Sequence, residues 1–154
     1  MSKQSWIVTG LVLAACGGHG PPPVQPSNTA AGTVQSFMQA VADSNLNKMA
    51  ALWGTASGPA LATRQPPDYQ RRIAIMQAYL RSDSFRLASD VPQTDPNRRA
   101  LQVELRREAC TWVVPFVAIK TGKGWLVNQV DLSAAGNPAR PCQPETMSDS
   151  TARS

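Results

Sequence analysis

The sequence TVQSFMQAVADSNLNKMAALW, residues 33–53, decides the fold. Its apolar residues recur three and four positions apart, as on one face of a helix, at Val34, Phe37, Met38, Val41 and Ala42. The polar residues 43–45 interrupt this period, which resumes from Leu46 to Trp53. The pattern predicts a helix capped by Thr29 or Thr33, a tight corner, and a shorter helix capped by Asn45.

A third helix and four strands are predicted downstream of this helix pair. Residues 54–58 are predicted to be a loop, and Pro66-Pro67-Asp68 suits the first turn of a helix. The buried face of that helix is expected to contain Tyr69, Ile73, Met76 and Leu80. The period then changes to two, which predicts strands at residues 85–91, 101–105, 112–119 and 125–132. The third strand is apolar on both faces, as a central strand would be, and Pro115 suggests a bulge or a locally unpaired edge.

This order of elements indicates the α+β class, with N-terminal helices packed on an antiparallel sheet of about four strands. Residues 33–53 resemble the opening of nuclear transport factor 2-like domains, and GWLVNQVD at residues 124–131 resembles their last strand. The resemblance covers about residues 33–132 and implies a cone with a curved sheet and a pocket under the helices. A cystatin-like helix on a sheet is the near alternative. The domain is predicted over residues 32–133, followed by a C-terminal tail at residues 134–154.

The N-terminus resembles the leader of a bacterial lipoprotein. Trp6 to Ala15 is a largely apolar run of ten residues, about 15 Å as a helix and too short to span a membrane. It closes on Leu13-Ala14-Ala15-Cys16, which resembles the lipobox. The resemblance implies cleavage before Cys16 and a diacylglycerol thioether on that cysteine. An ordinary secretory signal with a chance cysteine is the alternative.

The predicted organisation is therefore a signal peptide at residues 1–15 and a lipidated, flexible tether at residues 16–31. The tether is rich in Gly, Pro and small polar residues, a composition that favours a linker over a packed element. Gly17 stands where Asp would resemble an inner-membrane retention signal, so the outer membrane is favoured if the organism has two membranes. His19, the one histidine of the chain, lies in this tether and is expected to be exposed and idle.

The charge pattern argues against a nucleic acid partner. The chain has 15 basic and 10 acidic residues, a net charge of +5, and loss of Lys3 with the leader leaves 14 against 10, or +4. The arginines form separate pairs at residues 71–72, 98–99 and 106–107, whereas nucleic acid binding favours a contiguous basic stripe with interleaved aromatics. Solvated arginines on helix and strand faces account for the pattern.

Candidate catalytic groups are few. Enzymes that resemble the family, such as ketosteroid isomerase, scytalone dehydratase and polyketide cyclases, transfer protons with pocket carboxylates, tyrosines or histidines. The predicted domain has no histidine, and its best acid-plus-phenol set is Asp131 with Tyr69 and Tyr79. Trp53, Trp112 and Trp125 are candidates to line an apolar pocket, although core packing accounts for them as well. No metal-ligand spacing or glycine-rich phosphate loop is found, so no metal or cofactor is expected.

Two cysteines, Cys110 and Cys142, remain once Cys16 is assigned to the lipid. Export would place them in an oxidising compartment, where an even pair indicates a disulfide. Such a bond would hold the C-terminal tail across the sheet. The alternative is one buried thiol and one free thiol in the tail.

Three functions are compatible with these observations. The favoured one is a lipid-anchored cell-envelope protein, held at the membrane through Cys16, whose small non-catalytic domain binds an apolar ligand or an envelope protein. The second is an enzyme of the same fold, with isomerase, dehydratase or cyclase-like proton transfer by Asp131 and a tyrosine. The third is a structural or assembly protein that forms a homodimer through an exposed sheet face.

Overall fold

A computed structural model describes residues 23–140 and 142–143. The predicted signal peptide at residues 1–15, the predicted lipid site Cys16, His19 and the chain after residue 143 lie outside the described residues. Within the described part of the chain, no helix is both long enough and apolar enough to cross a membrane.

The first two helices have the predicted order and caps. Helix α1 spans Ala30–Ala42, and the Thr29 side chain accepts a hydrogen bond from the Gly32 amide, which selects Thr29 over Thr33 as the cap. Helix α2 spans Leu46–Leu52, and the Asn45 side chain accepts from the Lys48 amide at 2.9 Å. Their apolar faces are buried in the core, led by Val34, Phe37, Met38, Val41, Met49 and Leu52.

The predicted loop after α2 has more structure than its sequence indicates. Strands β1 (Gly54–Thr55) and β2 (Gly58–Pro59), of two residues each, form an antiparallel hairpin, and α3 (Ala60–Thr63) follows directly. Helix α4 (Tyr69–Leu80) begins where the Pro-Pro-Asp motif predicts and buries the predicted face of Tyr69, Ile73, Met76 and Leu80. The sequence does not indicate β1, β2 or α3, because two strands of two residues and a helix of four are too short to show a period.

The α+β class is confirmed: the helices pack on a curved antiparallel sheet of four strands in the order β3-β4-β5-β6. The strands are β3 (Ser84–Pro92), β4 (Arg98–Arg107), β5 (Cys110–Thr121) and β6 (Gly124–Val130). All three pairings join neighbours in the sequence, as short turns between antiparallel strands require. The last strand ends earlier than predicted: β6 ends at Val130, not at residue 132, and a 3-10 turn occupies Leu132–Ala135.

Strands β4 and β5 are buried on one face, whereas β6 buries the consecutive residues Trp125, Leu126 and Val127 and thus side chains on both faces. Leu101, Val103 and Leu105 of β4 point into the core, as do Val114, Phe116 and Ala118 of β5. Strand β5 is central, as predicted, but its outer face is open, and Val113 is 45 % exposed. The apolar residues on both faces of β5 therefore correctly predicted a central strand, although its outer face is not buried.

Pro115 lies where the pairing of β5 with β6 ends. The last pair of that ladder is Phe116 with Val130, and the Pro115 carbonyl accepts from the Asp131 amide at 3.0 Å. The nitrogen and carbonyl of a strand residue point to the same side, so the missing N–H of Pro115 faces β6 beyond its end. Of the two predicted explanations, the unpaired edge applies to Pro115, while a bulge lies at residues 117–118.

The Thr33 hydroxyl joins three segments of the chain. Thr33 is the one polar residue counted as buried among the described residues. Its hydroxyl donates to the Trp125 carbonyl of β6 at 2.9 Å and accepts from the Ser27 amide at 3.1 Å. The Trp125 amide donates in turn to the Ser27 carbonyl at 2.9 Å. Folded structure thus begins at least five residues before the predicted domain start at residue 32.

The C-terminal segment also packs on the domain past the predicted boundary at residue 133. Ala135 is fully buried, and its carbonyl accepts from the Arg107 guanidinium, which also donates to the Tyr79 carbonyl at 2.9 Å. The guanidinium carbon lies 4.5 Å from the centroid of the Trp112 ring, within the range of a cation–π contact. Burial lowers the pKa of Arg107.

Cys110 and Cys142 lie at disulfide distance, with their Cα atoms 5.9 Å apart and the two residues 32 positions apart in the sequence. Cys110 is the first residue of β5, opposite Arg107 of β4. The pair therefore fastens the C-terminal segment at the end of the sheet where Arg107 already holds Ala135.

Replacement of Thr33 by Val is expected to destabilise the domain by about 1–3 kcal/mol, because it leaves the Trp125 carbonyl and Ser27 amide short of a partner. Thr33→Ser retains the hydroxyl and is expected to lose less. Urea unfolding of the two variants measures the difference, with exposed Gln35→Ala on the same helix as the control. Equal stability of Thr33→Val and the parent would contradict this role.

Loss of the Cys110–Cys142 bond is expected to lower the free energy of unfolding by about 3–4 kcal/mol, the chain-entropy value for a loop of this size. The double variant Cys110→Ser/Cys142→Ser compared with the oxidised parent gives this difference. Alkylation followed by mass spectrometry, with and without reductant, reports the bond itself. Two thiols that alkylate without reductant in periplasmic material would rule the bond out.

A candidate binding groove between α4 and β6

Two adjoining hollows form a groove between α4 and β6, here called the Trp53 groove. One has a volume of about 300 Å³ and is lined by Trp53, Arg72, Ile75, Met76, Asn128, Gln129, Val130 and Leu132. The other has a volume of about 370 Å³ and is lined by Trp53, Gly54, Thr55, Gln65, Pro66, Arg72 and Asn128. Trp53, Arg72 and Asn128 line both hollows and join them into one feature.

The groove exists because the chain after α2 runs beside β6. Trp53 leaves the helix in an extended conformation and forms a parallel bridge with Val127. The Asn128 amide nitrogen donates to the Gly54 carbonyl at 2.9 Å, which holds the start of β1 against the same strand. Helix α4 forms the opposite wall through Arg72, Ile75 and Met76.

The apolar part of the groove contains one aliphatic side chain that is exposed to water. Met76 is buried, whereas Ile75 is 41 % exposed at the groove mouth. Trp53 is 9 % exposed. An exposed isoleucine beside a nearly buried indole gives a ligand an apolar surface from which water is readily displaced.

The charged part of the groove is the Arg72 guanidinium. Its Nε donates to both carboxylate oxygens of Asp68, at 3.0 and 3.1 Å, one turn earlier on the helix. These hydrogen bonds lower the pKa of Asp68, so the pair persists at neutral pH and is lost as the pH falls through that lowered value. The bonds use only Nε, so the two terminal nitrogens of Arg72 are not engaged by Asp68.

The structure disperses the six residues predicted for a pocket. Trp53 lines the groove, Trp125 is buried in the core, and Trp112 lies against Arg107. Tyr69 is 6 % exposed and lines a separate hollow of about 170 Å³, while Tyr79 is half-buried beside the core and binds Arg107 through its backbone carbonyl.

Asp131 lies at the surface just beyond the groove. Its carboxylate accepts from the amide and hydroxyl of Ser133 and caps the 3-10 turn. Neither tyrosine lines the Trp53 groove, which Val130 and Leu132 border on either side of this residue. Asp131 therefore has a local structural role that accounts for its carboxylate.

The sequence patterns do not indicate several of the groove residues. They predict Arg72 on the solvated face of α4, and they place Asn128 and Gln129 only within the last strand. Ile75 had a usable signal, because it is a large aliphatic residue outside the Tyr69, Ile73, Met76 and Leu80 period. Asn128 had none, since its role depends on the bulge that shifts β6 relative to β5.

The described residues offer no cluster of three or more His, Cys, Asp or Glu side chains with the spacing of a metal site.

The outer face of the sheet presents exposed apolar side chains. Val91 is 54 % exposed and Val113 is 45 % exposed. Arg86 and Glu104 form an ion pair on the same face, at 2.9 Å between Nε and Oε1.

Comparison with known proteins gives little further information. No protein-family model and no curated protein matches the chain. The chain is similar to the crystal structure of the intermembrane space region of the chloroplast protein ARC6, with 11 % sequence identity and a TM-score of 0.41. The match covers 71 % of this chain and 97 % of that one. A score this low does not establish a shared fold.

Proposed function

We propose that this chain is a lipid-anchored protein of the cell envelope whose domain binds a small apolar ligand in the Trp53 groove. The observation that supports binding is the pair of adjoining hollows that share Trp53, Arg72 and Asn128. Each hollow is near the lower end of the volume range of small-molecule pockets, about 300–1,000 Å³. A ligand of modest size fits such a groove better than a folded partner would.

The lining predicts the chemistry of this ligand. Ile75, Met76 and Trp53 provide an apolar wall, and Arg72 provides terminal nitrogens that can donate to an acidic group. The ligand is therefore an apolar body with an anionic head. Arg72 binds the head, and the aliphatic wall displaces water from the body.

The leader and the fold are consistent with this proposal. Lipidation at Cys16 rests on the Leu13-Ala14-Ala15-Cys16 pattern behind a short apolar run. Stable anchoring needs more than one acyl chain, which a diacylglycerol group provides. The order of helix, polar corner, second helix and four-stranded curved sheet supports a nuclear transport factor 2-like topology. The interior under the helices is packed, with Phe37 and Phe116 in edge contact at 6.3 Å between ring centroids, so the ligand site is at the margin.

Ile75→Glu is expected to weaken binding of the probe 8-anilinonaphthalene-1-sulfonate, an aromatic body with an anionic head, by about tenfold or more, since it places a carboxylate on the apolar wall. Arg72→Gln is expected to weaken it through loss of the cation. Fluorescence titration of the full chain measures both dissociation constants.

The matched control for this titration is Val91→Glu, which introduces the same charge at an exposed apolar position on the outer sheet face. Binding by this variant is expected to equal that of the parent. If Ile75→Glu binds as the parent does, or if Val91→Glu is equally impaired, the probe does not occupy the Trp53 groove and the proposal fails.

Cys16→Ser is expected to abolish incorporation of labelled palmitate in cells and to leave the leader uncleaved, because the thiol that accepts the diacylglycerol is absent. The matched control is Cys142→Ser, which removes a different cysteine and is expected to incorporate label like the parent. Labelled Cys16→Ser protein, or an unlabelled parent, would contradict lipid attachment at this residue.

A further inference from the structure

The point at which the tether joins the domain is fixed by hydrogen bonds. The Ser27 carbonyl accepts from the Trp125 amide, and the Ser27 amide donates to the buried Thr33 hydroxyl. Gly124 allows this close approach, because a Cβ at that position would lie 2.7 Å from the Ser27 carbonyl oxygen. The chain therefore enters the fold at the β5–β6 turn.

The β3–β4 turn and the β5–β6 turn lie together at the end of the sheet where the tether enters. The Lys120 amide donates to the Asn97 carbonyl at 2.8 Å, which joins the β5–β6 turn to the β3–β4 turn. The β4–β5 turn and the Cys110–Cys142 pair lie at the opposite end of the sheet, as antiparallel order requires. The end formed by residues 23–29, 93–98 and 120–124 is here called the tether end.

The tether end is basic. Lys120 and Lys123 are both exposed, and among the described residues they are two of only three lysines. Arg98 adds a further cation, with Asp95 as its partner at 3.9 Å. Thr63 lines a hollow together with Lys123, and the exposed Arg64 follows it directly.

The length of the chain keeps this end near the bilayer. Cys16 and Pro23 are seven positions apart, and seven residues span at most about 25 Å when fully extended. A lipid on Cys16 thus keeps the tether end within about 25 Å of the membrane surface. Anionic headgroups attract lysines over about a Debye length, roughly 10 Å at 0.1 M salt. The tether therefore allows Lys120 and Lys123 to come within the range of this attraction.

We infer that the tether end is a membrane-docking surface that binds anionic phospholipid headgroups through Lys120 and Lys123. The inference rests on the proposed lipid anchor and extends it, since the lipid determines distance and the lysines determine orientation. Docked in this way, the domain places its disulfide end away from the bilayer. The Trp53 groove, on the flank between α4 and β6, then opens to the side.

The test uses the lipidated mature chain in vesicles of phosphatidylcholine, with or without about one part in three of phosphatidylglycerol. A phospholipid with a diazirine in its headgroup labels whichever protein surface touches the bilayer, and peptide mass spectrometry maps the label. Residues 120–124 are expected to be labelled in preference to residues 106–110, and only when phosphatidylglycerol is present. Raising salt to about 1 M, where the Debye length is about 3 Å, is expected to remove this preference.

The variant Lys120→Glu/Lys123→Glu is expected to lose labelling at the turn by at least about fivefold, the effect of one lysine at an anionic surface. The matched control is Arg106→Glu/Arg140→Glu, the same charge change on exposed arginines away from the tether end, and is expected to be labelled like the parent. Equal labelling of both ends, or labelling that ignores the lysine substitutions, overturns the docking surface.

Two independent readouts separate this failure from failure of the anchor. Intact mass reports the acyl groups on Cys16, and flotation reports attachment to vesicles. A chain with acyl groups that floats but is labelled evenly overturns the docking surface alone. A chain without acyl groups overturns the lipid anchor, and the docking inference with it.

Discussion

The buried hydroxyl of Thr33 is the interaction on which the arrangement of this domain depends. It is satisfied in both directions, as donor to the Trp125 carbonyl and as acceptor from the Ser27 amide. One side chain therefore holds helix α1 on strand β6 and also fixes the chain segment that precedes the helix. A buried hydroxyl is stable only when such partners are present, so the three segments are specified together.

Among the described residues, the space between α1 and the sheet is filled by apolar side chains rather than by the pocket that the family resemblance implies. The apolar faces of α1, α2 and α4 meet the inner face of β4 and β5, and their large side chains fill the space between the layers. The candidate groove lies at the margin of this core, where Trp53 forms a bridge with β6 and Ile75 of α4 is exposed. The consequence is a groove suited to recognition, with Arg72 as its charged group and the Asp131 carboxylate committed to its own turn.

The two ends of the sheet have different chemistry. At one end, Arg107 stacks on Trp112 and donates a hydrogen bond to the Ala135 carbonyl, and the Cys110–Cys142 pair lies at disulfide distance. At the other, the chain enters beside Gly124 among exposed lysines. This arrangement is compatible with the proposed attachment through the N-terminus, because the segment that precedes α1 joins the fold at the end of the sheet opposite the Cys110–Cys142 pair.

The sequence by itself determined the local structure and excluded much chemistry. The helix cap Asn45, the buried face of α4, the α+β class and the sequential strand order all follow from periods and turn residues that act over a few positions, whereas the structure was needed to choose Thr29 over Thr33 as the cap of α1. The absence of histidine from the domain excludes histidine chemistry there without any coordinates, and cysteine counting selected the pair that lies at disulfide distance. Only the tertiary structure decided the outer exposure of β5, the packing of residues 134–140 and the meeting of Trp53, Arg72 and Asn128. The physical reason is that periodicity reports which residues prefer to be buried, whereas a groove depends on which segments distant in the chain fill the same space.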